Sequence, residues 1–323
     1  MENELRALDA NNTYSIVKLP PGKKTVGCRW VYKIKYKRDN QQEIKNLKAM
    51  LHSRFDIKDL GILKYFLGLE IAYSKKGIFL NQRKYVLDLL KATGKLGVKP
   101  CDTPTESGNK LDNDGDVLKD IGSYQRLVGK LIYLTVTIPD ITYAVSLVSR
   151  YMHAPRVKHL NAVTRILQYL KGSPGRGVVM TKNEAYSISS YCITAYSDAE
   201  YAGCPVDRKS TTGYCIFFGG NLVTWKSKKQ NVVSRSSAEA EYRSMASTTC
   251  EIVWLRALLK ELGCLPSQPA KMFCDNQAAI QIASNPIFHE HTKHIEVDCH
   301  FIREKSYQNS ELSKCGFSLL DLG

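Results

Sequence analysis

The chain has 323 residues, 43% apolar and 24% charged, which is room for two average domains and excludes disordered and fibrous classes. No apolar run reaches the roughly 18–20 residues of a membrane span, and the opening Met-Glu-Asn-Glu carries no secretory signal, so an intracellular protein of cytoplasm or nucleus, neither secreted nor membrane-bound, is expected. The net charge of +15 is uneven: residues 1–100 hold 21 Lys and Arg against 9 Asp and Glu, while residues 191–323 hold 14 of each, so the basic front half suits either a polyanionic partner or a plain solubilising surface.

In chain order, a short helical start at Leu5 and Leu8 leads to a Pro-Pro-Gly turn and a β-favouring run, Cys28–Tyr36, with one apolar face. Ile44, Leu47, Met50, Leu51 and Phe55 fall at helical spacing. A strand pair is predicted at 64–73 and 77–80, then a helix through Tyr85 and Leu89 that stops at Gly94. Residues 101–122 are polar and rich in Pro, Gly and Asp, and read as a linker. Within it, Asp112-x-Asp114-x-Asp116 begins like a calcium loop but has Ser123 where the closing Glu belongs, so an acidic loop is expected. Helices follow over 123–172. From about 190 the pattern changes to strands at 193–197, 213–218 and 222–225, a long helix from Ser236 to Leu262, a strand at 272–274, and helices at 277–283 and 295–303. The fold class is therefore α/β, a mixed sheet with helices behind a mostly helical region.

Three carboxylates sit where this order brings them together. Asp198 ends the first of these strands, Glu241 lies in the first turns of the long helix, and Asp275 ends the fourth strand. Clustered carboxylates are costly without a cation, and oxygen ligands without Cys or His favour Mg2+ or Mn2+. Two such ions can activate water and steady a leaving oxygen in phosphodiester cleavage. The ten cysteines include no Cys-x-x-Cys pair and are expected as free thiols. His289, His291, His294 and His300 with Cys299 match no common zinc-finger spacing, and zinc is not expected. Trp225, Lys226, Lys228 and Lys229 follow a strand end; they read either as a nucleic-acid contact, lysines on phosphate, or as a solvated hairpin end.

Long ordered motifs then match a family. Asp198-Ala-Glu-Tyr-Ala-Gly-Cys204, Asp207-Arg-Lys-Ser-Thr-Thr-Gly-Tyr214, Ser236-Ser-Ala-Glu-Ala-Glu-Tyr242, Cys274-Asp-Asn276 and the run from Thr292 to Phe301 resemble the ribonuclease H domain of copia-type LTR retrotransposon Pol polyproteins. Upstream, Phe55-Asp-Ile-Lys-Asp-Leu-Gly61, Tyr65-Phe-Leu-Gly68 and Tyr124 to Leu134 resemble the same polyprotein's reverse transcriptase. The resemblance implies a reverse-transcriptase fingers remnant at 1–40, palm end and thumb start at 41–100, the linker at 101–122, and a helical thumb and connection region at 123–189. It further implies a ribonuclease H-like domain at 190–305 and a truncated tail at 306–323. Asp198, Glu241 and Asp275 become catalytic metal ligands; Glu241 is preferred to Glu239 because its place before Tyr242 fits the motif, and Glu239 lies roughly 200° away around the helix. The implied function is Mg2+- or Mn2+-dependent hydrolysis of RNA in RNA–DNA hybrids. The alternative is a catalytically silent remnant that binds nucleic acid, whether hybrid, DNA or RNA.

Two departures from the family matter. Its remaining fingers and most of its palm would lie between the strand at 28–37 and the helix at 41–55. They are absent, as is the Tyr-x-Asp-Asp turn, and no Asp-Asp pair occurs anywhere, so polymerase activity is not expected. After Glu304 the family's fourth metal-site aspartate is missing too, which leaves Asp298, Glu296 or Asp321 as substitutes.

Overall fold

The computed structural model describes residues 41–54, 61–106, 111–182, 191–264, 266–284, 298, 301–302 and 317–321. The expected strand at 28–36, Glu296, and the neighbouring cluster of His289, His291, His294, Cys299 and His300 lie outside them. The chain divides into two units, residues 1–61 and 62–323. In the first unit the described element is helix α1, Gln41–Arg54, on the span its apolar spacing predicts, although Met50 stands 46% exposed.

The second unit begins with an antiparallel sheet of β1 (Tyr65–Phe66), β2 (Leu69–Ser74), β3 (Gly77–Asn81) and β4 (Gly177–Thr181), in that order. The span 64–73, read from sequence as one strand, is two. Leu67 and Gly68 take φ of 51° and 85°, a tight turn that glycine's left-handed freedom permits. β4 is absent from the sequence expectation; its pairing is set by β3, far back in the chain. Gly177 is needed there, since a Cβ would lie 2.1 Å from the Leu80 carbonyl oxygen.

Around this sheet lie α2 (Arg83–Ala92), α3 (Ile121–Leu134), a 3-10 turn (Pro139–Ile141), α4 (Thr142–Ser149) and α5 (Val157–Gly172). Asp120 caps α3 by accepting from the Ser123 amide at 2.8 Å. Val86 and Leu90 of α2, Val128 and Leu131 of α3, and Ile166 and Leu170 of α5 share one buried core. The segment expected as a linker at 101–122 therefore joins parts of a common core and does not divide the helical region from the strands before it. Its acidic loop bonds internally: Asp112 accepts from the Asp114 amide at 2.9 Å and ion-pairs with Lys158.

The second sheet has the order β7-β6-β5-β8-β9. β5 (Ile193–Glu200), β6 (Thr211–Phe218) and β7 (Asn221–Lys229) form an antiparallel meander, and β8 (Ala270–Cys274) and β9 (Phe317–Asp321) add in parallel. Gly219 and Gly220, with φ of 57° and 80°, supply the two-residue hairpin between β6 and β7. Helix α6 (Ser237–Glu261) lays Tyr242, Met245, Ile252 and Leu259 on Ile193, Ala195, Ile216 and Met272 to make the second core. Helix α7 (Gln277–Ser284) follows β8. Asp298, Phe301 and Ile302, inside the helix expected at 295–303, are helical. β9 is a correction: the terminal segment expected as a truncated tail contributes a strand to the sheet.

The helical region and the second sheet meet through specific polar contacts. The Trp225 indole N–H donates to the Thr135 carbonyl at 3.0 Å, Arg150 Nη2 to Thr211 Oγ1 at 2.8 Å, and the Tyr143 hydroxyl to Glu200 at 3.2 Å. Asn221 accepts from the Thr181 amide at 2.6 Å and returns its own amide N–H to the Thr181 carbonyl at 3.1 Å. Among the described residues no helix is long and apolar enough to cross a membrane.

Candidate active site

The alternation of β5 decides where its acid stands. Ile193, Ala195, Ser197 and Ala199 are buried toward α6, while Tyr196, Asp198 and Glu200 are exposed. β5 and β8 run parallel with Tyr196 opposite Phe273, and their rings stack at 5.2 Å. Asp198 and Asp275 each lie two residues beyond that pair. The carboxyl ends of neighbouring parallel strands thus place two exposed acids on one cleft.

The third acid comes from the start of α6, and the cap there separates the two glutamates. Ser236 Oγ accepts from the Glu239 amide at 3.1 Å, and Glu239 accepts from the Arg235 amide at 2.8 Å and from Arg243 at 3.0 Å. Glu239 is therefore engaged in holding the helix start. Glu241 is buried at 6% exposure and accepts from the Ala199 amide at 3.1 Å. Burial pushes its carboxyl up to about 7; the Ala199 hydrogen bond opposes this, while the charges of Asp198 and Asp275 add to it. The polar atoms of Glu241, Cys274 and Asp275 all lie within 4.8 Å of one another. Burial also pushes the Cys274 thiol up to about 11, so it is protonated at neutral pH and points its weak donor at Glu241, 3.9 Å away. Glu241 and Asp275 are the oxygen donors of that group; Asp198 lies outside it and acts on Glu241 through its charge.

Neighbouring groups fix this arrangement. Ser244, one turn beyond Glu241, is fully buried; its hydroxyl lies 2.7 Å from the Asp198 carbonyl and 3.0 Å from the Ser197 hydroxyl. Asn276 Oδ1 accepts from the Ala279 amide at 2.9 Å, so the residue after Asp275 anchors the start of α7. Ser244 and Cys274 were not among the residues singled out from sequence. A hydroxyl three residues after Glu241, on nearly the same helix face, and a thiol directly before Asp275 were the available signals. An open cleft of about 500 Å³ runs over the acids, lined by Tyr143, Tyr196, Asp198, Glu200, Trp225 and Asp275.

The other expected site residues distribute differently. Asp298 lies 3.7 Å from Arg243, two residues from Glu241 and so on another side of α6, and it is not among the charges acting on Glu241. It is not the fourth member of the cluster. Asp321 in β9 is in register with Cys274, beside the acid-bearing strand end. Strand alternation also splits the proposed basic group. Lys226 and Lys228 pair with Tyr214 and Thr212, which face α6; Trp225 and Lys229 pair with Cys215 and Thr211 on the other face. Trp225 packs on the helical region as described above, and Lys229 is ion-paired with Asp207 at 2.9 Å. Lys226 and Lys228 are exposed.

The family model for reverse transcriptase (RNA-dependent DNA polymerase) matches residues 36–107. The chain is 44% identical over 263 residues to the retrovirus-related Pol polyprotein from transposon RE2 of Arabidopsis thaliana, covering 81% of this chain and 18% of that protein. It is 37% identical over 273 residues to the corresponding polyprotein from transposon TNT 1-94 of Nicotiana tabacum, covering 81% and 20%. The putative transposon Ty5-1 protein of Saccharomyces cerevisiae is 35% identical over 210 residues, which is 64% of this chain and 67% of that protein. The chain spans about a fifth of the length of the two Pol polyproteins.

Proposed function

Since the chain belongs to the copia-type retrotransposon Pol family, as a fragment with a reverse-transcriptase-related region, we propose that residues 191–321 form a ribonuclease H-like domain. Its reaction is divalent-metal-dependent cleavage of the RNA strand in an RNA–DNA hybrid. One observation carries this reading. A buried glutamate, Glu241, feels the charges of two exposed aspartates at the ends of parallel strands, its carboxyl raised to about 7 by burial and like charge, under an open cleft. Such a cluster is unfavourable alone and favourable around a cation. Carboxylate oxygens and a protonated thiol fit Mg2+ or Mn2+ better than zinc.

When bound, such ions supply an activated water and stabilise the leaving oxygen. The protein's own residues hold the site in shape. The Ala199 amide orients one Glu241 oxygen, and the Cys274 thiol faces the other. Ser244 ties α6 to β5 directly behind Asp198. The exposed Asp198 and Asp275 present their carboxylates to the cleft, where a phosphodiester can approach.

The test is cleavage of an end-labelled RNA in a hybrid by the purified chain. Weak, manganese-favoured cutting that is abolished by Asp198→Asn is expected. No cutting with either ion would leave the silent nucleic-acid-binding remnant as the better reading, and cutting that survives Asp198→Asn would reject the assigned site. The same preparation is expected to extend no primer, because the sequence has no Asp-Asp pair; extension above a buffer blank would overturn that.

A further inference from the structure

Beyond the acids, the contact between α4 and β7 has an unusual polar content. Thr142 Oγ1, Ser227 Oγ and Arg150 Nε are buried there without a hydrogen-bond partner among the described residues. All three can donate, and buried donors left unpaired are costly. They line two adjoining cavities. One is the acid cleft; the other, about 610 Å³, lies between α4 and β7, and the two share Thr142, Trp225, Lys226 and Ser227. The second cavity is lined by Arg150 and by Lys226, Lys228 and Lys229, of which Lys226 and Lys228 alternate toward the α6 face and Lys229 is ion-paired with Asp207; among the described residues no carboxylate lines it. The path therefore changes character along its length. It starts at Asp198 and Asp275, passes the exposed faces of Tyr196 and Tyr143, and ends among unpaired donors and cations. From Thr142 to Arg150, α4 rises about 12 Å, the axial span of roughly three nucleotides.

We propose that the seam between α4 and β7 is a binding groove for a single nucleic-acid strand running off a duplex held at the acids. Bases stack on Tyr196 and Tyr143, and backbone phosphates take the donors of Thr142, Ser227 and Arg150 as the seam widens. Aromatic faces beside a cationic track hold single strands without reading sequence. The occupant is a nucleic-acid strand and not an acidic peptide, because the seam sets exposed tyrosine rings, which suit bases, beside donors and cations that suit phosphates, and an acidic peptide has no use for the rings. This inference concerns binding alone and stands whether or not the acids cut.

The experiment is fluorescence anisotropy with the full chain in EDTA, comparing a blunt RNA–DNA hybrid with hybrids carrying a 5′ or a 3′ single-stranded extension of either strand. One extension is expected to tighten binding by about tenfold, equivalent to one or two stacked bases. In a Thr142→Val, Ser227→Ala double variant and in Arg150→Gln, the ratio of extended to blunt affinity should fall to near one. A single methylphosphonate walked along the extension should weaken the unaltered chain at one or two positions and leave the double variant indifferent. The double variant removes hydroxyls that have no partner, so its thermal midpoint should hold or rise. No gain from any extension, a gain that survives both variants, or a fall in the midpoint of the double variant would each overturn the groove.

Discussion

Residues 62–182 and 191–321 each bury a side chain that titrates below or near neutral pH, His159 and Glu241, and they treat it in opposite ways. In the helical region His159 is fully buried, stacks on Tyr151 at 3.7 Å, accepts from the Arg156 amide at 2.9 Å, and meets the Asp112 carbonyl at 2.8 Å with its other nitrogen. Burial, with Lys158 and Arg156 nearby, lowers its pKa to about 4, so it is neutral at pH 7 and every polar atom is in use. In the sheet region Glu241 has one backbone donor, one weak thiol donor and two neighbouring carboxylates. A buried ionisable group with all its partners supplied is part of the scaffold. One crowded by its own sign beneath an open cleft is incomplete until something positive arrives.

The largest effect that would break this contrast is on catalysis. Asp275→Asn, like Asp198→Asn, should lower hybrid cleavage by orders of magnitude, since a lost ligand costs several kcal/mol of transition-state stabilisation. Single-turnover rates with the labelled hybrid would measure it, and retention of most activity would dissolve the distinction between the two regions.

The next effect is a pair of opposing pH dependences. Glu241 has a folded pKa of about 7, above its ordinary 4.5, so its contribution is fully present below 4.5 and is lost as pH rises through 7. In metal-free buffer the sheet region should lose on the order of 2 kcal/mol across that window, and added Mn2+ should return it at pH 8. His159 runs the other way. Its folded pKa of about 4 lies below the ordinary 6.5, so its contribution is present above 6.5 and declines as pH falls through 4. Segment-resolved hydrogen exchange between pH 4.5 and 8 separates the two; parallel slopes in both regions would refute the assignment.

Smaller effects sharpen the boundary between site and scaffold. Ser244→Ala should cost about 1 kcal/mol by breaking the tie between α6 and β5, and should slow cleavage by loosening Glu241; both follow from urea melts and rates on one preparation. Glu239→Ala should cost about 0.5–1 kcal/mol through the helix cap. Its effect on cleavage should be much smaller than that of Glu241→Gln, and equal losses would mean that the wrong glutamate has been assigned.

Much of this was legible in the sequence because it depends on local grammar. The strands bearing Asp198 and Asp275 show a period or a turn at each end, and Ser236 announces α6. What was not legible depends on distant partners. β4 and β9 acquire their strand character from β3 and β8. Asp298 looked like a spare ligand until tertiary structure set it against Arg243. The split of Trp225 from Lys226 needed only the period of two, but adjacency in sequence obscured it. The orphaned donors at Thr142 and Ser227 could not be foreseen, because an unpaired atom is a property of an interface and not of a residue.

The Asn221 side chain at the tip of the β6–β7 hairpin has a consequence of a different kind. β4 is the outermost strand of its sheet, and such a rim, with amides and carbonyls facing outward, invites other molecules to zip on and propagate. Asn221 offers one acceptor and one donor to Thr181 and so occupies the position that an invading strand would take first. It acts as a stopper on the lattice of hydrogen bonds.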